Sequence, residues 1–555
     1  MCIIKDTAMD IKKVLAIGFG FSALTFFAAC SDSSSSGTEP TTNSSSSVEG
    51  DSTLSSANES AVSSSSVDES VTAMAITEIM YNAAEGSELE WVEVAIASGP
   101  DISSMLASNV RLDGAISYAF PNEPLTKGEY IVVTNNPTLF KETYKDFNGR
   151  LFGPWDKDPT TGEVAKLSNE GDVIDVKIMG EGDVSCSYSK EPPWPSLANG
   201  KGRTLVYKGG NAAQATSWGA SEIINGNPGV GNDTWLKTSS VRLNEIMPTI
   251  TGKNDAWVEL YNAGSEAVDV TGWTFESKVR NEKLTIKAGT VPAGGYLVLD
   301  GAKDFSEELI VSTIGGSYYL YGATEGDESS LLLPSSELSS GVVDLSDGST
   351  AQGALKTATP EAANTELYIG SIIINEINYH PNEEDLNQVE FLELKNVSTE
   401  AITLYQKATI GSGSRGWKVE GINFEFSATD ILPAGGLAVL FPESLSAELG
   451  ENKLRARYEI ADNVMIKFYK GKLSNRGETI AVKMPYAYQE DTSNPLNNQW
   501  FYDWSDATLY SDNWNATGID YKRADGYGYS LQRKDTSTMG YEAAAWTVGE
   551  PTPGK

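Results

Sequence analysis

Histidine is almost missing from this chain: His380 is the only one in 555 residues. One imidazole leaves almost no room for a Ser-His-Asp triad and none for a histidine-rich metal site. Cysteine is nearly as scarce, and Cys2, Cys30 and Cys186 are too few for a disulfide scaffold. Positive charge is in deficit, with 41 Lys and Arg against 76 Asp and Glu, a formal charge of −35. Nucleic-acid affinity rests largely on cations displacing phosphate counterions, so nucleic acid is not expected as a partner. Capped amphipathic helices are also scarce. What remains is a chain with 40% apolar residues, enough for sizeable cores. At roughly 100–200 residues per domain, about three are expected.

The first 29 residues read as an export signal, to be set aside before the fold is considered. Lys12 and Lys13 precede an apolar run of 14 residues, Val14 to Phe27. A spanning helix needs about 20. Ala28-Ala29-Cys30 follows and resembles a bacterial lipobox, although Phe27 departs from the aliphatic residue usual at its position. The resemblance implies lipidation at Cys30 and a membrane partner through that anchor. With Ser31 next and Asp32 only after it, the outer membrane is the expected location, with the protein displayed at the cell surface. From Ser31 to Thr72, 18 of 42 residues are serine, seven are Asp or Glu, and none is Lys or Arg. Such a stretch cannot bury enough apolar surface to offset ordering entropy, so residues 30–72 read as a disordered tether.

The rest of the chain repeats itself. Ile76-Thr77-Glu78-Ile79-Met80-Tyr81, Leu243-Asn244-Glu245-Ile246-Met247-Pro248 and Ile374-Asn375-Glu376-Ile377-Asn378-Tyr379 open three units. A second strand follows each, as Glu90-Trp91-Val92-Glu93-Val94, Ala256-Trp257-Val258-Glu259-Leu260 and Glu390-Phe391-Leu392-Glu393-Leu394. The glutamates stand 15, 14 and 17 residues apart, as in a hairpin that tolerates insertions. Copies one and three share Leu167-Ser168-Asn169 and Leu473-Ser474-Asn475, and they close on Trp218 with Asn227-Pro228-Gly229 and on Trp546 with Thr552-Pro553-Gly554. Copy two ends less clearly, near Thr359-Pro360. Boundaries at 73–235, 236–366 and 367–555 follow. Short β-branched and aromatic runs between Gly, Asn, Asp and Pro turns make each unit all-β, most simply a β-sandwich.

These motifs are similar to those of bacterial lamin-tail domains. The likeness is carried by Trp257 to Asn262, Val270-Thr271-Gly272-Trp273, the turn Pro292-Ala293-Gly294-Gly295, the Leu-Ser-Asn starts and the terminal Pro-Gly. It implies three tandem immunoglobulin-like sandwiches that act in binding or tethering and have no catalytic residues to carry over.

Two groups of residues nevertheless invite chemistry. The pairs Glu78 and Glu93, Glu245 and Glu259, and Glu376 and Glu393 could serve as glycosidase carboxylates or hold a calcium ion. Recurrence in three copies favours a structural role, so no catalytic residue, metal or cofactor is expected. Trp500, Tyr502, Trp504 and Trp514 sit in an insertion of copy three, interleaved with Asn, Asp and Ser. Rings on a polar β-surface suit sugar faces or protein interfaces. His380, beside Glu383, Glu384 and Asp385, reads as a solvated loop residue, and Cys186 as a small buried hydrophobe. The expected function is a non-enzymatic surface display whose partner is an envelope protein or polysaccharide. A carbohydrate-binding protein or an unrecognised carboxylate-based hydrolase is the alternative.

Overall fold

In the computed structural model the described residues run from 73 to 555, short stretches apart, of which 251–255 and 383–387 are the longest. The export signal, Cys30 and the tether lie outside them. Strand accounts for 44% of the described residues and helix for 9%, so the fold is all-β as the sequence pattern leads one to expect. Three sandwiches follow one another. Each is built on the repeated hairpin: Ala73–Met80 with Trp91–Ser98, Val241–Met247 with Trp257–Asn262, and Ile372–Asn378 with Phe391–Asn396.

The hairpin lies in the middle of the larger sheet, which has six, five and six strands in the three modules, and a four-stranded sheet faces it in each. Alternation explains the core. Ile79, Val92 and Val94 point inward against Leu112, Ile174 and Val176 of the opposite sheet. Ile246, Val258 and Leu260 meet Phe275, Tyr318 and Leu320 in the second module, and Ile377, Leu392 and Leu394 meet Val419, Ile480 and Val482 in the third.

The outer face of the larger sheet is covered too, which accounts for the few helices present. In the first module Tyr130–Thr134 pairs parallel with Arg150–Phe152. A parallel pair requires a crossover, supplied by helix Pro137–Thr143. Asn136 caps that helix through Leu139 N (3.1 Å), and Phe140 packs on Trp91 and Met80. In the third module Leu437–Pro442 pairs parallel with Met465–Tyr469 across helices Glu443–Glu448 and Gly450–Tyr458, with Leu454 on Phe391 and Phe441. The second module has only the single turn Gly301–Asp304 after its edge strand Tyr296–Asp300.

Adjacent modules are joined by more than chain. Between the first and second, Arg203 pairs with Glu325 (2.6 Å), Ser196 donates through N and Oγ to Glu328 (2.9 and 2.6 Å), and Ser317 donates to Glu191 (2.9 Å). Between the second and third, Ser335 N donates to Tyr502 O (2.9 Å) and Ser346 Oγ to Glu542 Oε2 (2.6 Å). Val343, Leu355 and Leu367 form an apolar cluster there with Met539.

Candidate functional site

The glutamate pairs come together as the repeat suggested. Glu78 is the register partner of Glu93, Glu245 of Glu259, and Glu376 of Glu393. A β-bulge precedes each first glutamate, at Thr77, Asn244 and Asn375. The bulge inserts one residue, so an inward apolar pair is followed directly by an outward carboxylate pair. The inserted residue then serves the second glutamate. Thr77 Oγ1 donates to Glu93 Oε1 (2.7 Å), Asn244 Nδ2 to Glu259 Oε1 (2.8 Å), and Asn375 Nδ2 to Glu393 Oε1 (2.6 Å).

The other oxygens hold the closing turn of the same module. Gly229 N donates to Glu93 Oε2 (2.5 Å), Gly554 N to Glu393 Oε2 (2.6 Å), and Glu361 N to Glu259 Oε2. Two residues earlier in each turn, Asn227 N donates to Glu78 (3.3 Å), Thr359 N to Glu245 (3.1 Å) and Thr552 N to Glu376 (2.8 Å). The Thr204, Thr359 and Thr552 hydroxyls add a bond to the first glutamate of each pair. Each pair is therefore a latch on an x-Pro-x turn. Copy two has the same latch on Thr359-Pro360-Glu361, with Glu361 at φ +64° where the others place Gly229 (+84°) and Gly554 (+82°). A glycine-based motif passes over it, since the geometry is kept while the residue type is not.

Burial shapes the electrostatics of these latches. Glu93, Glu245, Glu259 and Glu393 are 0% exposed. Desolvation pushes Glu78 up to about 8 and Glu93 and Glu393 to about 7, against the opposing pull of their hydrogen bonds. Glu245, Glu259 and Glu376 are raised for the same reason. A carboxylate closed off from water, with its oxygens on its own chain, offers no approach to a glycosidic bond. Among the described residues no group of three or more His, Cys, Asp and Glu is placed to hold a metal.

A second buried carboxylate explains the Leu-Ser-Asn motif. Glu90 accepts from Leu167 N (2.9 Å), and Glu390 from Leu473 N (2.7 Å) and the Tyr469 hydroxyl. Copy two has Ala256 at this position and lacks Leu-Ser-Asn. The two absences go together, and that pairing was the available signal in the sequence.

The four candidate aromatics part company. Gly477–Gln489 and Gln499–Ser511 form one long hairpin of 13-residue strands, where the first module has eight-residue strands. Trp500, Tyr502 and Trp504 are half-buried on it and share one face by alternation. Each ring carries a cation: Arg415 lies 5.9 Å from Trp500, Lys418 4.5 Å from Tyr502 and Lys483 4.7 Å from Trp504. Trp500 also packs on Tyr488, while Trp504 reaches Gly353 of the second module. Trp514 is apart from them. It packs on Trp546 (6.0 Å) and Tyr521 (5.8 Å), as Trp194 packs on Trp218 (6.4 Å). Trp514 is the third module's counterpart of Trp194. Elsewhere, His380 Nδ1 meets Asp525 Oδ1 at 2.5 Å, and Cys186 is buried with its thiol pushed up by desolvation.

Comparison with protein families picks out most of the second module, the bulged hairpin included. Residues 236–347 match the lamin tail domain. The lamin tail domain is a non-catalytic immunoglobulin-like fold, and its match spans 112 of the 555 residues. It stops before the latch turn at Thr359. No curated protein matches the chain. Among solved structures, a DUF4876 family protein from Bacteroides thetaiotaomicron is 13% identical, covering 56% of this chain and 92% of its own, with a TM-score of 0.16. The BSP domain of a biofilm-associated protein is 10% identical over 81% of this chain and 68% of its own, with a TM-score of 0.13. Neither likeness carries an argument.

Proposed function

We propose that this is a non-catalytic, lipid-anchored envelope protein. It displays three joined sandwiches beyond the outer membrane and binds an envelope protein or polysaccharide. The observation that carries the non-catalytic part is the latch. Among the described residues the recurrent paired carboxylates are 0–2% exposed and tied to the closing turn of their own module. The lamin tail match over the second module supports the same reading. Anchoring and display rest on Lys12 to Cys30 and on the serine-rich stretch after it.

Three experiments test it. Residues 73–555 are screened against polysaccharides and envelope fractions, where saturable retention without turnover is expected. Glu393→Gln should then alter stability and leave any retention intact. Turnover of a glycan that disappears in Glu393→Gln would replace this reading with a hydrolase. For the anchor, Cys30→Ala should move the protein from the membrane to the soluble fraction, and protease shaving of intact cells should remove it only if it faces outward.

A further inference from the structure

The two junctions differ in how they are filled. Between the second and third modules, Leu367, Met539, Tyr541 and Trp504 close around a remnant of about 20 Å³. Between the first and second lies a cleft of about 280 Å³ with walls from both. That is close to the volume at which small-molecule sites begin, and junctions between domains are a preferred place for them.

The lining suggests what it would take. Trp235, half-buried at the start of the connecting segment, lies against the backbone of Gly219, where an added Cβ would come within 3.0 Å of it. Trp218 lines the same wall, and Thr216 and Thr350 add hydroxyls. Three charges surround these groups, and two are already engaged. Arg242 holds Asp344 through both carboxylate oxygens (3.0 and 3.1 Å), and Glu328 accepts from Ser196. Lys208, exposed at the rim, has no ion-pair partner among the described residues. An indole serves the apolar face of a sugar, hydroxyls serve its ring oxygens, and a lone ammonium serves a carboxylate.

We propose that the cleft between the first and second modules binds a uronic-acid unit, a sugar bearing a carboxylate, with Trp235 against the ring and Lys208 on the acid. The proposal rests on the binding role given above and names its ligand class. Residues 73–555 are titrated with galacturonic acid, a short galacturonate oligomer and galactose, followed by tryptophan fluorescence and calorimetry. Saturable binding of the acid sugar is expected, and the oligomer arm distinguishes a free uronate from a unit within a polymer. Lys208→Ala, at an exposed position, should weaken galacturonate by about tenfold, the worth of one charge-assisted hydrogen bond, with the circular-dichroism melt of the variant unchanged. Trp235→Ala should abolish binding, and Trp500→Ala should leave it unchanged. Galactose binding as tightly as galacturonate, or Lys208→Ala binding like the unmodified chain, would overturn the assignment. A chain that ignores all three sugars but is retained by envelope fractions sinks the cleft and leaves the display reading standing.

Discussion

At the scale of single residues, the latches tie backbone conformation to side-chain charge. The closing residue of each turn must sit at positive φ while its N–H reaches a buried carboxylate. Left-handed backbone costs an L-residue about 1–2 kcal/mol, and glycine's extra freedom costs about 0.5–1 kcal/mol in return. Glu361→Gly should therefore stabilise the second module slightly, by less than about 1 kcal/mol. Gly554→Ala should destabilise the third by more than about 2 kcal/mol, because its Cβ would also meet Ile460 Cγ2 at 2.7 Å. Urea denaturation of each variant reads both signs, and equal shifts would discount the latch. The carboxylates make a separate prediction about pH. In the folded protein Glu78 stands at about 8 and Glu93 at about 7, above the ordinary value of 4.5, so folding favours their protonated forms. Their contribution is fully present below that ordinary value and is lost as pH rises through 7 to 8. The first module should lose stability between about pH 5 and 8, and Glu93→Gln should flatten that slope. A melting temperature that rises across the same interval would contradict it.

At the scale of elements, the opening hairpin was legible because strict alternation fixes which residues face the core and which face out. That Glu78 and Glu93 lie on neighbouring strands of one hairpin followed from the repeat. The bulges that make the pair possible were not legible, since one inserted Thr or Asn leaves no mark on a pattern of two. The crossover helices were also hidden. Pro137–Thr143 and Gly450–Tyr458 have seven and nine residues, too short for a convincing apolar stripe, and they stand only by packing on Trp91 and Phe391. The aromatic insertion was read correctly as aromatic, but its rings serve different elements. Trp514 belongs under the closing Trp546, whereas Tyr502 lies on the sheet face beneath Lys418. Trp514→Ala should cost about 3 kcal/mol or more, as for a packed ring, and Tyr502→Ala less than about 2. Chemical denaturation separates the two, and equal costs would show that both rings pack alike.

At the scale of the whole molecule, the question is whether three modules act as one body. Contacts between domains of one chain often permit motion, unless the surface is large and apolar. Here polar bonds at the first junction surround a cleft, and the second has an apolar centre. Val343 and Leu355 of the second module meet Leu367 and Met539 of the third across it, the last two each at 7% exposure. Ser346 on Glu542 (2.6 Å) stands at its rim. Fixed spacing would serve a repetitive target, because several weak sites then engage together at high effective concentration. Met539→Asp places a carboxylate in the middle of that apolar cluster, and burying a charge among apolar side chains is strongly unfavourable. The third module's own core does not include Met539, so its near-ultraviolet spectrum should persist while the junction opens. Small-angle scattering should then show a broader spread of dimensions, and the third module should melt separately from the second. If the scattering profile and the melting curve both stay as in the unmodified chain, the apolar centre is not what holds the second and third modules together.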